Sequence, residues 1–341
     1  MYHFCTYFDQ HYLPKALALY RSLQIHCPDF KLWVLCMDQG AYDFLAQFRL
    51  PEVHLIALED FEQNDELLVS AKQNRSKIEY YFTCTPSLPL YVLRKWQEVE
   101  MITYIDADLY LFSNPQPLYD EMQHGSVGII GHRFPPQLQE LEIYGLYNVG
   151  WLMFRRDDNA LACLQWWRER CIEWCYDRLD GDRFADQKYL DQWETRFKGV
   201  VVLKHKGANL APWNVARYQL HILEDQKTVY VDEQPLIFFH FHGLKRVKSW
   251  LYEPGWKLYN LTPTKLLRTK IYAPYISMLL EVQRTWLAAV PDTNIPGGIR
   301  RRAHDMSGKS PFVRIISHLR AEAIIGLRFL LGRYLLAIQR P

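Results

Sequence analysis

Residues 101–115 read MITYIDADLYLFSNP, and this stretch decides the fold. An apolar run, 101–105, leads into Asp106 and Asp108 and then into a second apolar run. Strands that are apolar along their whole length are typical of α/β sheets covered on both faces, where ligands bind at the carboxyl ends of strands. On a straight strand the two carboxylates would lie on one face, about 6.5–7 Å apart. A turn at Ala107 would direct both toward one Mg²⁺ or Mn²⁺ ion. The alternative is that the two aspartates only cap a turn.

The same alternation continues through the first 240 residues. Apolar runs predict strands at 2–7, 31–37, 53–57, 101–105, 127–131, 151–155, 200–203 and 236–240. Amphipathic stretches predict helices between them, at 13–26, 86–98 and 159–178. This order indicates an α/β protein with a mostly parallel sheet flanked by helices. We expect one α/β domain, large enough for an enzyme, over residues 1–264 and a helical extension over 265–341.

The composition excludes a disordered or fibrous chain. Of 341 residues 49% are hydrophobic, which is enough for a large core. The net charge of +2 conceals an asymmetry, because residues 296–341 hold nine Lys and Arg against two acidic residues. The tail therefore carries +7 and the rest of the chain −5. The seven cysteines form no CxxC pair, so we expect free, buried thiols and a protein of the reducing cytoplasm.

A second group of polar residues follows the last predicted strand, in residues 236–250, LIFFHFHGLKRVKSW. His240 is a candidate third ligand, and mixed nitrogen and oxygen ligation favours Mn²⁺ over Mg²⁺. We expect at most one of His240 and His242 to hold the metal. Gly243 would allow close backbone approach to a ligand, and the cations after it suit a diphosphate. The alternative is a core histidine beside a solvated basic loop.

Two shorter motifs fit the same site. Asn148 and Gly150 stand just before the predicted strand 151–155, where an amide could contact a substrate. Asp186 and Gln187 stand at the start of a predicted helix. For Asp186 the alternative is a plain N-cap.

Over roughly residues 1–250 the chain resembles glycosyltransferase family 8. The resemblance rests on four motifs in this order: YIDADLYLFSNP, YNVGWLMF, DQKYLDQW and HFHGLKRVKSW. The resemblance implies the Rossmann-like GT-A fold and transfer of a hexose from a UDP-sugar to a glycan or lipid-linked acceptor, with retention. It implies that Asp106, Asp108 and His240 hold Mn²⁺ (or Mg²⁺). It places the catalytic region and donor sugar at Asn148, Asp186 and Gln187. It places the nucleotide and diphosphate near Thr6, Tyr7, Asp9, Gly243, Lys245 and Arg246.

The chain departs from the family at one charged position. The family carries a basic residue on the helix before the Asp-x-Asp strand, and here apolar residues 88–90 take its place. We expect Arg75 or Lys77 to compensate. One alternative function is a sugar-nucleotide nucleotidyltransferase, which would require a Gly-rich basic loop near the N-terminus that the sequence lacks. The other is an inactive carbohydrate- or membrane-binding scaffold, against which the intact ligand set argues.

The basic tail fits an amphipathic helix over residues 311–339, with arginines such as Arg314, Arg328 and Arg333 on one face. Its apolar segment is too short to span a bilayer, which takes about 20 residues. We expect the tail, residues 296–341, to lie on an anionic membrane, which makes the protein peripheral at the inner face of the plasma membrane. Packing on protein is the alternative. The long apolar face argues against nucleic acid as the partner.

Overall fold

The computed structural model describes residues 1–223, 228–248, 251–287 and 335–336. Within them the strands are β1 Tyr2–Phe8, β2 Phe30–Cys36, β3 Val53–Ala57, β4 Met101–Ile105, β5 Leu109–Leu111, β6 Val127–Gly131, β7 Tyr147–Arg155, β8 Val200–Leu203, β9 Leu220–Ile222, β10 Val229–Val231, β11 Gln234–Pro235, β12 Phe238–His240, β13 Lys245–Lys248, β14 Leu251–Glu253 and β15 Leu335–Leu336.

The α-helices of the same residues are α1 Leu13–His26, α2 Gln39–Ala46, α3 Leu58–Glu62, α4 Glu66–Lys72, α5 Lys77–Cys84, α6 Ser87–Lys95, α7 Gln116–Met122, α8 Asp158–Glu173, α9 Trp193–Arg196 and α10 Ala273–Val282. Shorter 3₁₀ turns include Gln10–Tyr12, Pro136–Tyr144 and Lys188–Gln192, and π-helical turns at Leu267–Tyr272 and Gln283–Leu287 flank α10. None of the described helices is both long enough and apolar enough to cross a bilayer.

The main sheet has the strand order β3-β2-β1-β4-β7-β6-β8 in the described part of the chain. The first four of these strands are parallel, and so are β6 and β8, whereas β7 runs antiparallel to both of its neighbours. The carboxyl ends of β1 and β4 therefore meet at one edge of the sheet. The predicted α/β class, with a mostly parallel sheet flanked by helices, is confirmed.

Helices cover both faces of this sheet. Because successive side chains of a strand point to opposite faces, Phe4 and Cys5 of β1 enter different cores. Phe4 packs with residues of α1, α2 and α7, while Cys5 packs with residues of α4, α5, α6 and α8. Burial on both faces explains why these strands are apolar along their length. All seven cysteines are buried and free, as predicted.

A separate two-stranded pairing places the second candidate motif beside the first. Strand β12 runs antiparallel to β5 with His240 opposite Leu109, and the amide of Phe241 donates to the carbonyl of Asp108 at 3.0 Å. The helical segment after residue 265 packs behind this pair, where the rings of Phe241 and Tyr275 stack with centroids 3.8 Å apart. Helices therefore follow residue 265, as predicted, whereas the division of the chain at residue 264 stays a prediction.

Several predicted boundaries were wrong. Strand β7 begins at Tyr147 rather than 151, so Asn148 and Gly150 lie inside a strand instead of before one. Pairing of Asn148 with Ile130 of β6, and the hydrogen bond from the Asp106 amide to the Gly150 carbonyl, override the weak strand preference of Asn and Gly. The helices predicted at 86–98 and 159–178 end earlier, at Lys95 and Glu173. Lys245 and Arg246 lie in β13 rather than in a loop, because β14 supplies backbone partners.

The C-terminal tail falls almost wholly outside the described residues. Residues 335–336 are described, and they pair antiparallel with β14. At these two residues the predicted helix was therefore wrong, because the edge of β14 offers unpaired backbone groups. The remainder of the proposed helix over 311–339 and of the basic tail lies outside the described residues.

Candidate functional site

Three side chains converge where β4 ends. Asp106 and Asp108 follow β4, and His240 is the last residue of β12. Nε2 of His240 lies 3.1 Å from Oδ1 of Asp108 and 3.7 Å from Oδ2 of Asp106. One ligand atom from each residue lies within 4.8 Å of the other two. The register of β12 against β5 produces this convergence of residues more than 130 positions apart in sequence.

Another side chain contacts each carboxylate at the oxygen that does not face His240. The Tyr104 hydroxyl donates to Oδ1 of Asp106 at 2.8 Å. The Lys15 ammonium lies 3.3 Å from Oδ2 of Asp108. Both aspartates thus use one oxygen for an orienting contact and turn the other toward His240. Outer contacts of this kind fix the geometry of metal ligands in proteins.

The pKa values of Asp106, Asp108 and His240 are shifted because two carboxylates lie close together in a buried place. Burial raises the pKa of Asp106, and the charge of Asp108 adds to that effect. Burial opposes ionisation of Asp108 too, but Lys15 and His240 outweigh it and hold the pKa of that carboxyl below its ordinary value. Burial disfavours the His240 imidazolium, yet Asp108 and Asp106 raise the pKa of His240 above its ordinary value. A cation bound between these groups would relieve the repulsion of the two carboxylates.

The donor set fits a divalent cation. Two carboxylate oxygens and one imidazole nitrogen are hard to borderline ligands, which suit Mn²⁺ or Mg²⁺ better than a soft ion. No thiol belongs to the group. Of the two histidines, His240 lies with the aspartates, whereas His242 packs its ring against Trp213 and Tyr259.

Gly150 makes room for His240. A Cβ at this position would lie 3.0 Å from the His240 ring and 2.7 Å from Oδ1 of Asn148. The carbonyl of Gly150 also accepts from the amide of Asp106 at 3.1 Å. Asn148 is buried and its Oδ1 accepts from the amide of Gly150, while its Nδ2 lies 3.3 Å from Nε2 of His132. The Asn-x-Gly motif therefore supports the candidate ligands Asp106 and His240 from the neighbouring strand.

Asp186 and Gln187 precede the 3₁₀ turn Lys188–Gln192, and neither caps it with its side chain. Asp186 is buried, and burial raises the pKa of its carboxyl to about 7, with Asp106 adding to the rise and Thr85 opposing it. Gln187 donates through Nε2 to the carbonyl of Tyr144 at 3.1 Å. The N-cap alternative for Asp186 is therefore not what the structure shows.

The residues expected around the nucleotide form a chain of contacts at the end of β1. The hydroxyl of the half-buried Tyr7 lies 3.1 Å from Oγ1 of Thr85. Lys77 pairs with Oδ2 of Asp9 at 2.8 Å, and the Tyr81 hydroxyl donates to the same oxygen at 3.3 Å. Oγ1 of Thr6 is buried without a hydrogen-bond partner among the described residues.

The other predicted residues have different surroundings. Arg75 donates to the Tyr176 hydroxyl at 2.6 Å and to the carbonyl of Ile172 at 3.1 Å, so it ties the start of α5 to the end of α8. Gly243 has a φ of 75° and faces the backbone of Gly255. On β13, Lys245 is exposed and Nε of Arg246 donates to the carbonyl of Lys248 at 3.3 Å. The apolar residues Leu88 and Leu90 are buried, and no basic side chain stands there.

Sequence reasoning missed the residues that hold the site from outside. They are Lys15, Tyr104, Thr85 and Tyr144, which contact Asp108, Asp106, Tyr7 and Gln187 respectively. Lys15 occupies the first turn of an ordinary amphipathic helix, and Tyr104 lies in an apolar strand, so neither carries a motif. The alternation of β4 does offer one signal, since Tyr104 and Asp106 are two apart and share a face.

The fold and the site define an α/β protein with a candidate divalent-cation centre at the carboxyl edge of its sheet. No family model matches the chain. The uncharacterized protein YfnD of Bacillus subtilis (strain 168) is 34% identical over 298 residues, which cover 85% of this chain and 93% of YfnD. The uncharacterized protein YfnF of the same organism is 32% identical over 251 residues, covering 72% and 82%. The chain belongs to the family of YfnD and YfnF.

Among solved structures, the chain is similar to the galactosyltransferase LgtC in complex with donor and acceptor sugar analogues. The TM-score is 0.49 at 17% identity, covering 79% of this chain and 100% of LgtC. It is also similar to mouse xyloside xylosyltransferase 1, with a TM-score of 0.46 at 16% identity, covering 71% and 98%.

Proposed function

We propose that the protein is a metal-dependent glycosyltransferase that moves a hexose from a UDP-sugar to a glycan or lipid-linked acceptor. The observation that carries this proposal is the convergence of Asp106, Asp108 and His240 at the carboxyl edge of the sheet. Asp186 and Tyr7 stand close enough to Asp106 for its charge to raise the pKa of both. A candidate cation site, a buried acid and Tyr7 therefore lie close together, as donor binding would require.

The metal ligands would serve the departing diphosphate. Asp106, Asp108 and His240 would hold Mn²⁺ or Mg²⁺, which supplies Lewis-acid stabilisation of charge on phosphate oxygens. Lys245 and Arg246 lie at the start of β13, a few residues after His240. We propose that they add positive charge for the diphosphate. Asp9 and Lys77, which pair at the end of β1 and the start of α5, would contact the nucleoside.

Asp186 and Gln187 would act on the sugar. A buried carboxyl accepts hydrogen bonds from sugar hydroxyls without competition from water. Gln187 is held by the carbonyl of Tyr144, which fixes the direction of its amide. In the reaction the bond from the anomeric carbon to the phosphate oxygen breaks and a bond to the acceptor oxygen forms. The acceptor hydroxyl gives its proton to an oxygen of the departing UDP phosphate, and we propose that the anomeric configuration is retained.

The function is tested by hydrolysis of UDP-glucose, UDP-galactose and their N-acetyl forms, which needs no acceptor. We expect slow release of UDP from one of these donors with Mn²⁺, and its loss with EDTA. Parallel incubation with UTP and a sugar 1-phosphate tests for a nucleotidyltransferase by release of pyrophosphate. Release of pyrophosphate together with stable UDP-sugars would replace our proposal by that alternative, and inertness in both assays would reject both enzymes.

We propose that the basic tail, residues 296–341, holds the enzyme at the inner face of the plasma membrane, where a lipid-linked acceptor would lie. The support is the tail's charge of +7, which an anionic membrane surface attracts. Co-sedimentation with anionic liposomes should be strong for the full chain and several-fold weaker for a chain ending at residue 295. Equal binding of the two chains would reject this role.

A further inference from the structure

Lys15 is an unexpected cation inside the candidate metal group. It stands in the first turn of α1, and its ammonium contacts Oδ2 of Asp108 at 3.3 Å and lies 4.8 Å from the centre of the Tyr12 ring. The side chain of Lys15 is 19% exposed and that of Asp108 is 12% exposed. An ion pair withdrawn from water in this way contributes little net stability, since desolvation offsets the attraction. Its presence at a ligand of the candidate cation therefore calls for a function.

The contact has two consequences for a bound cation. It engages Oδ2 of Asp108, so that Oδ1, the oxygen beside His240, is the one left for the metal. It also adds a positive charge to a ligand set that carries −2 when His240 is neutral. A like charge at this range weakens the binding of a bare divalent cation. The same ammonium attracts the oxygens of a phosphate that arrives with the cation.

We propose that Lys15 is a positioning residue that makes this site bind a divalent cation together with a nucleoside diphosphate rather than the cation alone. Lys15 acts through Asp108, by restricting it to one metal-facing oxygen, and through its own charge. This inference rests on the proposed function, since it takes the ligand of the site to be a metal–nucleotide pair. Helix α1 carries no recognisable site motif. The proposal gives it a role in the binding of the donor, because Lys15 makes the cation bind together with the nucleotide.

The experiment measures two affinities in each variant of the full chain. Binding of Mn²⁺ alone is followed by electron paramagnetic resonance of the free ion, and binding of UDP at saturating Mn²⁺ by calorimetry. For Lys15→Met we expect Mn²⁺ alone to bind about tenfold tighter and UDP about tenfold more weakly. Lys15→Arg keeps the charge and should stay within about threefold of the wild type in both measurements. Lys72→Met removes a lysine that pairs with Glu62 at 2.7 Å, and should change neither affinity.

The opposite signs of the two changes separate this role from a structural one. If Lys15 only supported the fold, Lys15→Met would weaken the binding of Mn²⁺ and of UDP alike, and that result would overturn the proposal. Unchanged affinities in Lys15→Met would overturn it too. Lys15→Gln, which retains a hydrogen-bond donor, is measured in the same way should the methionine variant not fold. If the wild type does not bind UDP in the presence of Mn²⁺, the proposed function itself is rejected. If the wild type binds UDP and Lys15→Met binds it equally well, only the role proposed for Lys15 is rejected.

Discussion

Asp106→Asn and Asp108→Asn are each expected to lower Mn²⁺-dependent UDP-sugar hydrolysis by at least about a thousandfold. Each substitution removes one negative charge from a group whose ligand atoms lie within 4.8 Å of one another. An amide oxygen keeps the shape of the side chain but binds a divalent cation far more weakly than a carboxylate oxygen does. UDP release measured against Mn²⁺ concentration checks the expectation. Asp106→Asn should fold, because burial and the charge of Asp108 raise the pKa of Asp106 and the substitution removes that cost. Asp108→Asn gives up the ion pair with Lys15 and should fold with a lower melting temperature.

A smaller loss should follow from a purely steric change. Gly150→Ala adds a Cβ 3.0 Å from the His240 ring and 2.7 Å from Oδ1 of Asn148 without touching any charge, so both side chains must shift to make room for it. We expect weaker Mn²⁺ binding and hydrolysis reduced by about tenfold or more. Gly131→Ala is the matched control in a neighbouring strand, since its Cβ meets the flexible Arg133 side chain no closer than 3.5 Å. Asp43→Asn, at an exposed position of α2, controls for loss of an acid.

Wild-type hydrolysis in both aspartate variants would remove the metal site from the proposal. A loss in Asp108→Asn alone would point instead to the ion pair of Asp108 with Lys15 as the essential contact. A loss equal in Gly150→Ala and Gly131→Ala would indicate that this part of the sheet tolerates no added methyl group. Each result is read together with a thermal melt of the same variant.

The strands that reach the metal group could be predicted because they are buried on both faces. Met101–Ile105 and Val127–Gly131 were predicted with their exact bounds, since an apolar run in an α/β sheet has few other interpretations. The predicted start of β7, at 151, lies four residues late, because Asn and Gly more often precede a strand than lie within one. The pairing partners of Asn148 and Gly150 lie more than 15 residues away in sequence, so only the assembled sheet reveals the longer strand.

The candidate ligands were predictable from sequence for a related reason. Asp106, Asp108 and His240 each follow an apolar strand, and polar residues at such points indicate a site. The residues that orient them could not be predicted in the same way. Lys15 contacts Asp108 across 93 residues, and Tyr144 contacts Gln187 across 43, through side-chain and backbone geometry that no local pattern encodes.

Asp186→Asn is expected to raise the stability of the protein and to lower its activity. Burial raises the pKa of this carboxyl from 3.8 to about 7, so ionising it in the folded protein costs free energy. That cost is absent below pH 4, grows as the pH rises from 4 to 7, and is constant above 7, where the folded protein carries the charge. Asparagine never ionises. The variant should therefore be more stable than the wild type by up to ~4 kcal/mol at pH 8, with a gain that shrinks toward zero at pH 4.

Thermal melts of both proteins at pH 5, 6, 7 and 8, without metal, measure this pattern. Hydrolysis of the UDP-sugar should fall by about a hundredfold in the variant, because the sugar loses an acceptor for its hydroxyl hydrogens. Asp43→Asn, at an exposed site, should show no pH-dependent gain. A gain that is the same at pH 5 and pH 8 would mean that the charge of Asp186 is not its source. A more stable variant with full activity would show that the buried acid is not part of the donor site, because a protein retains a costly buried charge where function requires it.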